Sequence, residues 1–306
     1  MSPVGAGRAR IPRTGPAPSR AEFVECLQGS DAYRRGARDR REYIEGSLDR
    51  LYRAFRNLTN STAAVGGPTL DVASASGILY PAVRGLLPDC LPYEATDIVA
   101  TALHFDGTDI PCTKFECERD RLPHGDGSLG LVLFFDCLEH LVVDPVWTLL
   151  EFNRVLKPGG HLAIATPNAV GADRLGMILR GQGAASEACI RPSSIYQRHN
   201  REWTVQEVCE ALAGIGFGGF EYSTNAGVLR WHERAALHLA RLLHVARIPV
   251  FGFGPELFVL AQKQEHVTLD MDLADERRWP AWLYTADPAY HRRPQTFPIV
   301  VGDDYT

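Results

Sequence analysis

Residues 70–77 read LDVASASG, and this stretch decides how the middle of the chain folds. An apolar strand ends on an acid and runs into small residues, as the nucleotide-binding turn of an open parallel sheet begins. A ligand can approach such a backbone closely; Ala73 fits if its φ is negative, whereas Gly77 needs the freedom that only glycine has. A plain tight turn has the same appearance, so both interpretations stay open.

Short apolar runs alternate with helical segments along the chain, which is typical of a doubly wound, mostly parallel α/β sheet. Apolar spacing predicts a helix over 145–156, ended by KPGG at 157–160. The capping-box sequence TVQE at 204–207 predicts a helix to about Gly214, and 230–245 reads as another amphipathic helix. The seven predicted strands are 69–72, 93–97, 113–117, 129–135, 161–166, 219–223 and 256–263.

The chain divides into four segments by composition. Residues 1–20, rich in Pro, Gly and Arg, are expected to be a disordered leader. Residues 21–62 read as an arginine-rich arm of two helices broken near Gly29, and its charges are typical of a solvated helical face. Residues 63–264 form the main domain, with an insertion over about 169–203 that looks like a lid. Residues 265–306 are an acidic tail whose aromatic side chains are expected to pack on the domain or on a second subunit.

Composition excludes several classes of protein. The net charge of −5 gives no basic field that would favour nucleic acid. The seven cysteines show no CxxC pair, so we expect reduced thiols and neither a zinc site nor a disulfide framework. His232, His238 and His244 read as surface histidines, and no metal site is expected. Without a secretory signal or a run long enough to span a bilayer, we expect a soluble, cytoplasmic protein.

Further motifs follow the first turn. Asp97 ends the second predicted strand twenty residues beyond Gly77, where a carboxylate can accept both hydroxyls of a ribose. Then come LEHL at 138–141, RVLKPGG at 154–160 and TPN at 166–168. With these motifs the sequence resembles the class I S-adenosylmethionine-dependent methyltransferases over about residues 65–265. The resemblance implies a Rossmann-like methyltransferase fold and S-adenosylmethionine as the cofactor.

The resemblance also implies cofactor-binding residues. Asp71 would anchor the methionine amino group, although a helix-capping acid is the plain alternative. Glu118 would face the adenine, although a solvated loop acid is its alternative. Two departures stand out, since alanines replace loop glycines and Gly130 follows Leu129 where the family has Phe-Asp. The complete implied set is Asp71, Ala73, Ser74 and Gly77 in the loop, Asp97 for the ribose, Glu118 and Arg119 for the adenine, and Phe135 and Asp136 flanking the methionine.

Two histidines are candidate bases. His140 follows the fourth main strand at a position that faces the methyl group in the resembling family, and imidazole titrates near neutral pH. A packing role for His140 stays open. His199, in the polar run YQRHNREW at 196–203, is a second candidate base. Arg198 and Arg201 are candidate substrate-binding residues, or they are ion-paired and only hold the lid.

Three functions from different classes compete. The first is a methyltransferase acting on a hydroxyl of a small molecule or sugar, in which alignment of the reacting atoms does most of the work. The second is a nicotinamide-dependent oxidoreductase or epimerase, which the missing GxGxxG spacing disfavours. The third is a non-catalytic scaffold that recruits a partner. A homo-oligomer formed through the arm or the tail also stays open.

Overall fold

A computed structural model describes residues 17–34, 38–61, 63–74, 77–99, 103–183, 198–225 and 254–267. The described strands are β1 (Thr69–Val72), β2 (Tyr93–Asp97), β3 (Leu103–Phe105), β4 (Thr108–Ile110), β5 (Cys112–Lys114), β6 (Leu129–Phe135), β7 (Leu156–Pro167), β8 (Phe217–Asn225) and β9 (Glu256–Lys263). Seven of them form one sheet in the order β5-β2-β1-β6-β7-β9-β8, and β3 pairs with β4 in a separate hairpin.

The sheet is mostly parallel. Strands β5, β2, β1, β6 and β7 pair in parallel, whereas β9 runs antiparallel to both β7 and β8. This confirms the predicted doubly wound, seven-stranded α/β fold. Its described helices are α1 (Arg20–Gly29), α2 (Asp31–Arg34), α3 (Arg38–Asn60), α4 (Tyr80–Leu86), α5 (Pro145–Val155), α6 (Ala172–Ile178) and α7 (Val205–Gly214), with short 3-10 turns at Pro88–Cys90 and Leu138–His140.

Local signals in the sequence explain where these helices begin. Thr204 and Glu207 form the predicted capping box at α7, each side chain bound to the other's backbone. The Asp144 side chain accepts hydrogen bonds from the first amides of α5, and Pro145 occupies the first turn, where a missing N–H costs nothing. A capping box at Ser19 starts α1 at Arg20, one residue before the predicted start of the arm.

Some boundaries differ from the sequence predictions. The third strand of the sheet is Cys112–Lys114 where 113–117 was predicted, and the hairpin of β3 and β4 was not predicted. Strand β7 begins at Leu156, but its ladder with β6 passes from Leu156 directly to His161, so 157–160 leave the register. The leader as far as residue 16, residues 184–197 of the insertion, the predicted helix 230–245 and the tail from residue 268 lie outside the described residues.

Two apolar clusters cover the two faces of the sheet. One joins β1, β6 and β7 to α5 and α7. The other packs α1, α3 and α4 on the opposite face, with Phe23 and Phe55 fully buried. The arm is therefore a layer of the core, and its two aromatic side chains supply a large buried area.

Two further features of the described residues bear on the predictions. No described helix has both the length and the apolar character needed to cross a membrane. Six of the seven cysteines are described, and all six are free thiols.

Candidate functional site

The carboxyl ends of β1 and β2 bring two acids together. Asp71 pairs in register with Ala95, so Asp97, two residues further along β2, projects from the same face. Asp71 is 2% exposed and accepts a hydrogen bond from the Tyr93 hydroxyl. Burial raises the pKa of Asp71 to about 7, and the charge of Asp97 adds to this effect against the hydrogen bond from Tyr93. Asp97 is only partly buried and so remains accessible to a ligand.

The loop after β1 has an unexpected backbone conformation. Ala73 has φ +56°, so the condition under which alanine was expected to fit here, a negative φ, is not met. Gly77 has φ +70°, a left-handed conformation that agrees with the prediction that this position needs glycine. The Ser74 N–H donates to the Thr96 carbonyl, and its hydroxyl accepts from the Gly77 N–H at 3.1 Å. Ala73 therefore adopts a left-handed conformation, which costs free energy for any residue with a Cβ.

Glu118 is buried and holds the loop that precedes α5. Its carboxylate accepts hydrogen bonds from the backbone N–H groups of Val142, Val143 and Asp144 at 2.7–3.0 Å. The alternative of a solvated loop acid is therefore wrong. Adenine recognition by Glu118 stays a prediction. It would require the carboxylate to accept a hydrogen bond from the adenine in addition to those from the backbone N–H groups of the loop. The neighbouring Arg119 is exposed and pairs with Glu116 at 3.3 Å.

Phe135 and Asp136 end β6 at the same edge of the sheet. Phe135 is buried and contacts the ring of Phe258. Asp136 has φ +51° and forms an ion pair with Arg50 of α3, whose Nε lies 2.6 Å from the carboxylate. Burial raises the pKa of Asp136 even though Arg50 opposes the shift. The strained backbone and the partly buried ion pair mark this position as a functional candidate.

The sequence analysis missed the contribution of α3 to this site. Arg50 lies 86 residues from Asp136 in the chain, and its Nη2 also donates to the Ser47 hydroxyl at 3.4 Å. Partial burial raises the pKa of Tyr43, which is 48% exposed and lies one turn before Ser47, and Asp136 and Glu139 add to this effect. The helical spacing of 43, 47 and 50 was the available signal, because these positions share one face of α3.

Glu139 and His140 lie on the 3-10 turn after β6. Glu139 is 2% exposed and its carboxylate accepts a hydrogen bond from the Thr166 hydroxyl at 2.8 Å. Burial raises the pKa of Glu139 to about 7, with a further contribution from Asp136. His140 Nδ1 lies 3.0 Å from the Arg198 carbonyl oxygen, which can only accept, so Nδ1 carries a proton. In the neutral ring Nε2 is then the basic nitrogen, 3.8 Å from Glu139.

His199 lies beside His140 and belongs to a charged chain of side chains. The two rings are 5.0 Å apart at 75°. His199 Nδ1 is 3.1 Å from Glu202, and Arg174 binds both oxygens of Glu202 at 2.6 Å. Burial alone would raise the pKa of Glu202, but the hydrogen bonds from His199 and Arg174 bring it below its ordinary value. Glu202 and Arg174 were not among the predicted site residues.

Arg198 and Arg201 make contacts that hold the loop. Arg198 Nε donates to Asn200 Oδ1 at 2.8 Å. Arg201 pairs with Glu207 at 2.9 Å, and its guanidinium carbon lies 4.2 Å from the centroid of the Trp203 ring. These contacts support the holding role for both arginines, and substrate binding by either stays a prediction.

The described residues fit S-adenosylmethionine. A buried acid, Asp71, suits an ammonium group, and the partly buried Asp97 at the end of β2 suits hydroxyl donors. Ala73, Ser74 and Gly77 are small residues, so a ligand can approach the backbone closely at these positions. The two carboxylates lie together at the carboxyl edge of the sheet. They suit a ligand that carries both an amino-acid ammonium group and ribose hydroxyls.

The methyltransferase-domain family matches residues 38–218, which is more than half of the chain. The chain therefore belongs to this family, and it is an S-adenosylmethionine-dependent methyltransferase. The predicted enzyme class and cofactor are confirmed, whereas membership of the narrower group with LEHL, RVLKPGG and TPN motifs stays a prediction. The matched segment begins at the first residue of α3 and includes both Arg50 and Asp136.

Individual relatives are distant. The malonyl-(acyl-carrier protein) O-methyltransferase of Alcanivorax borkumensis is 33% identical over 104 residues, and the match spans about a third of each chain, 33% of this one and 35% of the relative. A Haloferax volcanii complex of the Trm112 methyltransferase activator and a methyltransferase shows 18% identity over 73% of this chain and 95% of that chain, with a TM-score of 0.48.

An S-adenosylmethionine-dependent methyltransferase from Archaeoglobus fulgidus shows 15% identity over 76% of this chain and 97% of that chain, with a TM-score of 0.45. Structural similarity at this level carries no conclusion about an acceptor or a partner.

Proposed function

We propose that this methyltransferase acts on a hydroxyl group of a small molecule or a sugar, with His140 as the base. The observation that carries the proposal is the hydrogen bond from His140 Nδ1 to the Arg198 carbonyl at 3.0 Å. It fixes the tautomer whose Nε2 accepts a proton, and an alcohol needs such a base when it attacks carbon. The O-methyltransferase activity named for the Alcanivorax borkumensis relative supports oxygen as the acceptor atom.

The edge of the sheet would bind the donor. Asp71 would hold the methionine ammonium and Asp97 the ribose hydroxyls. Ala73, Ser74 and Gly77 would line the space between them. Glu118 and Arg119 would lie towards the adenine, and Asp136 would flank the methionine. The donor supplies a methyl group on a positively charged sulfur, so transfer to a hydroxyl forms a C–O bond, breaks a C–S bond and releases one proton.

The residues of the chain would align the acceptor and remove its proton. His140 Nε2 would take the hydroxyl proton while Nδ1 stays bound to the backbone, so the imidazolium keeps its orientation. Glu139, buried next to the ring, would stabilise that positive charge. His199, braced by Glu202, is a second group able to accept a proton near the same point. Alignment of the acceptor is expected to contribute more to the rate than either base.

A donor-binding measurement and an acceptor screen test this function. Calorimetry should show binding of S-adenosylmethionine and of its demethylated product, and label from the donor methyl should appear in a hydroxyl compound. His140→Gln should lower methyl transfer by about 100-fold or more while donor binding stays unchanged. His104→Gln serves as the matched control, because His104 is exposed on the β3–β4 hairpin. If calorimetry shows no binding heat with either S-adenosylmethionine or its demethylated product, the proposed function is wrong.

A further inference from the structure

Glu139, His140 and His199 form a cluster of three side chains that could each bind a metal ion. Each offers one ligand atom, and the three atoms lie within 4.8 Å of one another. Around a bound ion with metal–ligand distances of about 2.1 Å, ligand atoms stand roughly 3 to 4 Å apart. A small inward movement of the side chains would therefore close this cluster around one ion.

Two of the three ligands are oriented by outer hydrogen bonds. Thr166 Oγ1 donates to Glu139 Oε2 at 2.8 Å, so Oε1 is the carboxylate oxygen nearer His140 Nε2, at 3.8 Å. The His140 ring is fixed through Nδ1 by the Arg198 carbonyl. Metal-binding histidines in proteins usually have their other ring nitrogen bound in this way, which fixes both the tautomer and the ring orientation.

The third ligand is braced by a carboxylate. His199 Nδ1 meets Glu202 at 3.1 Å, and Arg174 grips Glu202 through Nε and Nη2 at 2.6 Å each. A carboxylate behind an imidazole raises its basicity and makes it a better ligand. With Nδ1 engaged in both histidines, Nε2 is the nitrogen of each ring that would bind metal.

The local charge balance favours a cation. Glu139 is buried, at 2% exposure. Arg50 pairs with Asp136, whereas the ion pair of Glu139 within the described residues is with His140, which carries charge only when protonated. A buried carboxylate without a permanent positive neighbour is costly, and a divalent ion would supply that charge.

We infer that Glu139, His140 and His199 bind one divalent first-row transition-metal ion through one carboxylate oxygen and two imidazole nitrogens. This donor set suits Zn²⁺, Mn²⁺ or Fe²⁺ better than Mg²⁺, which prefers oxygen ligands alone. Three protein ligands also leave coordination positions open to oxygen atoms from a bound molecule.

The role of such an ion in catalysis rests on the proposed function, whereas metal binding itself does not. An acceptor hydroxyl in an open position would have its pKa lowered by the ion and would release its proton to water before transfer. In the metal-bound enzyme the ion would activate the hydroxyl, because the metal takes the Nε2 lone pair; in the metal-free enzyme His140 Nε2 would remain the base.

Cobalt titration of the metal-free full-length chain tests the inference. We expect one equivalent of Co²⁺ to bind and to give the visible absorption of a low-coordinate site with nitrogen ligands. Zn²⁺ should displace it and Mg²⁺ should not. Acetohydroxamate, a bidentate oxygen ligand, should change the spectrum, because open positions accept its oxygens; an unchanged spectrum would contradict the open site.

Variants decide whether the named residues are the ligands. His199→Gln and Glu139→Gln should each weaken Co²⁺ binding at least tenfold, whereas His104→Gln should leave it unchanged. Circular dichroism and donor calorimetry show whether each variant is folded. One folded ligand variant is enough for the test. Equal Co²⁺ affinity in a folded variant and the parent, or no binding to the parent, would overturn the inference. Donor binding without Co²⁺ binding refutes the metal site alone, and Co²⁺ binding without donor binding refutes the proposed function alone.

Discussion

Asp71 is a buried carboxyl group beside a second acid, Asp97, and its proton should make stability depend on pH. Its pKa of about 7 in the folded chain lies above its ordinary value of 3.8, so between these values the folded state binds the extra proton. Stability should therefore fall as pH rises from about 4 to about 7, by roughly 2 to 4 kcal/mol, and level off above. Denaturant titrations across this range measure the slope.

In the Asp71→Asn variant the free energy of unfolding should lose this part of its dependence on pH, since an amide does not titrate. Asp109→Asn is the matched control, because Asp109 is 93% exposed and should leave the slope unchanged. If Asp71 binds the donor ammonium, charged Asp71 is the binding form, and donor affinity should rise from about pH 6 to about pH 8. Equal slopes in the parent and Asp71→Asn would contradict the burial of a titrating acid.

Ala73 occupies left-handed backbone at φ +56°, where glycine would be unstrained. Removing the Cβ should relieve about 1 kcal/mol or more, partly offset by the greater entropy of glycine in the unfolded chain. Ala73→Gly should thus be neutral or up to about 1 kcal/mol more stable, whereas Ala54→Gly inside α3 should lose about 1 kcal/mol or more. Urea unfolding compares the two, and equal losses would refute the strain at Ala73.

Residues near one another in sequence were easier to predict than residues joined by the fold. Asp71 and Gly77 belong to one local turn, and Asp97 ends the adjacent strand, so strand pattern alone located them. Arg50 reaches Asp136 across 86 residues, and this pairing depends on how α3 crosses the sheet. Periodicity shows which face of α3 is apolar, but it does not show which acid a polar residue at its edge will meet.

The resembling family has an aspartate at the position of Gly130 in β6. The contact between β6 and the segment before β1 explains why this chain has glycine there. A Cβ at this position would lie 2.2 Å from the Gly66 carbonyl oxygen and 2.9 Å from the Gly67 Cα. The segment before β1 therefore packs directly on the β6 backbone, and the aspartate usual in the family has no room there.

The Gly130→Ala variant should lose about 2 to 3 kcal/mol of stability, because both obstructing atoms belong to backbone. Gly125→Ala is its control, since nothing lies within 4 Å of a Cβ there and the change should stay within about 0.5 kcal/mol. Thermal and urea unfolding measure both. If Gly130→Ala lost no more stability than Gly125→Ala, the segment around Gly66 and Gly67 could move away from β6 at little cost.

The hairpin of β3 and β4 shows a local signal that the sequence analysis left unused. Asp106 and Gly107 have φ +48° and +77°, the conformation of the two-residue turn that Asp-Gly favours between antiparallel strands. Six of the seven sheet strands have four or more residues, enough to show a strand pattern, whereas β5 has only three and its bounds were missed. Strands β3 and β4 have three residues each, too few to show alternation, so the turn was the informative feature.

At the scale of the whole molecule, the pair of Arg50 and Asp136 joins the arm to the edge of the sheet. Arg50→Met should leave the largely buried Asp136 without its cation and should cost about 1 to 2 kcal/mol, less than a fully buried pair because Arg50 is 36% exposed. Arg38→Met removes an exposed pair with Glu42 in the same helix and should cost under about 0.5 kcal/mol.

Chemical denaturation of both arginine variants supplies the measurement. The arm and the sheet should unfold in one transition, since α1 and α3 share an apolar cluster with the sheet strands. Two separate transitions, or equal losses in the two variants, would mean that the arm is only loosely attached.

Strand β9 lies between β7 and β8, although it is the last of these three in the chain. During synthesis β8 therefore leaves the ribosome before the strand that will separate it from β7. Until Lys263 emerges, both strands present unpaired edges, and the apolar face of α3 that packs against Phe258 and Leu260 stays uncovered. Folding of the nascent chain is thus completed late, and chaperone binding or aggregation should concentrate on chains that stop short of this strand.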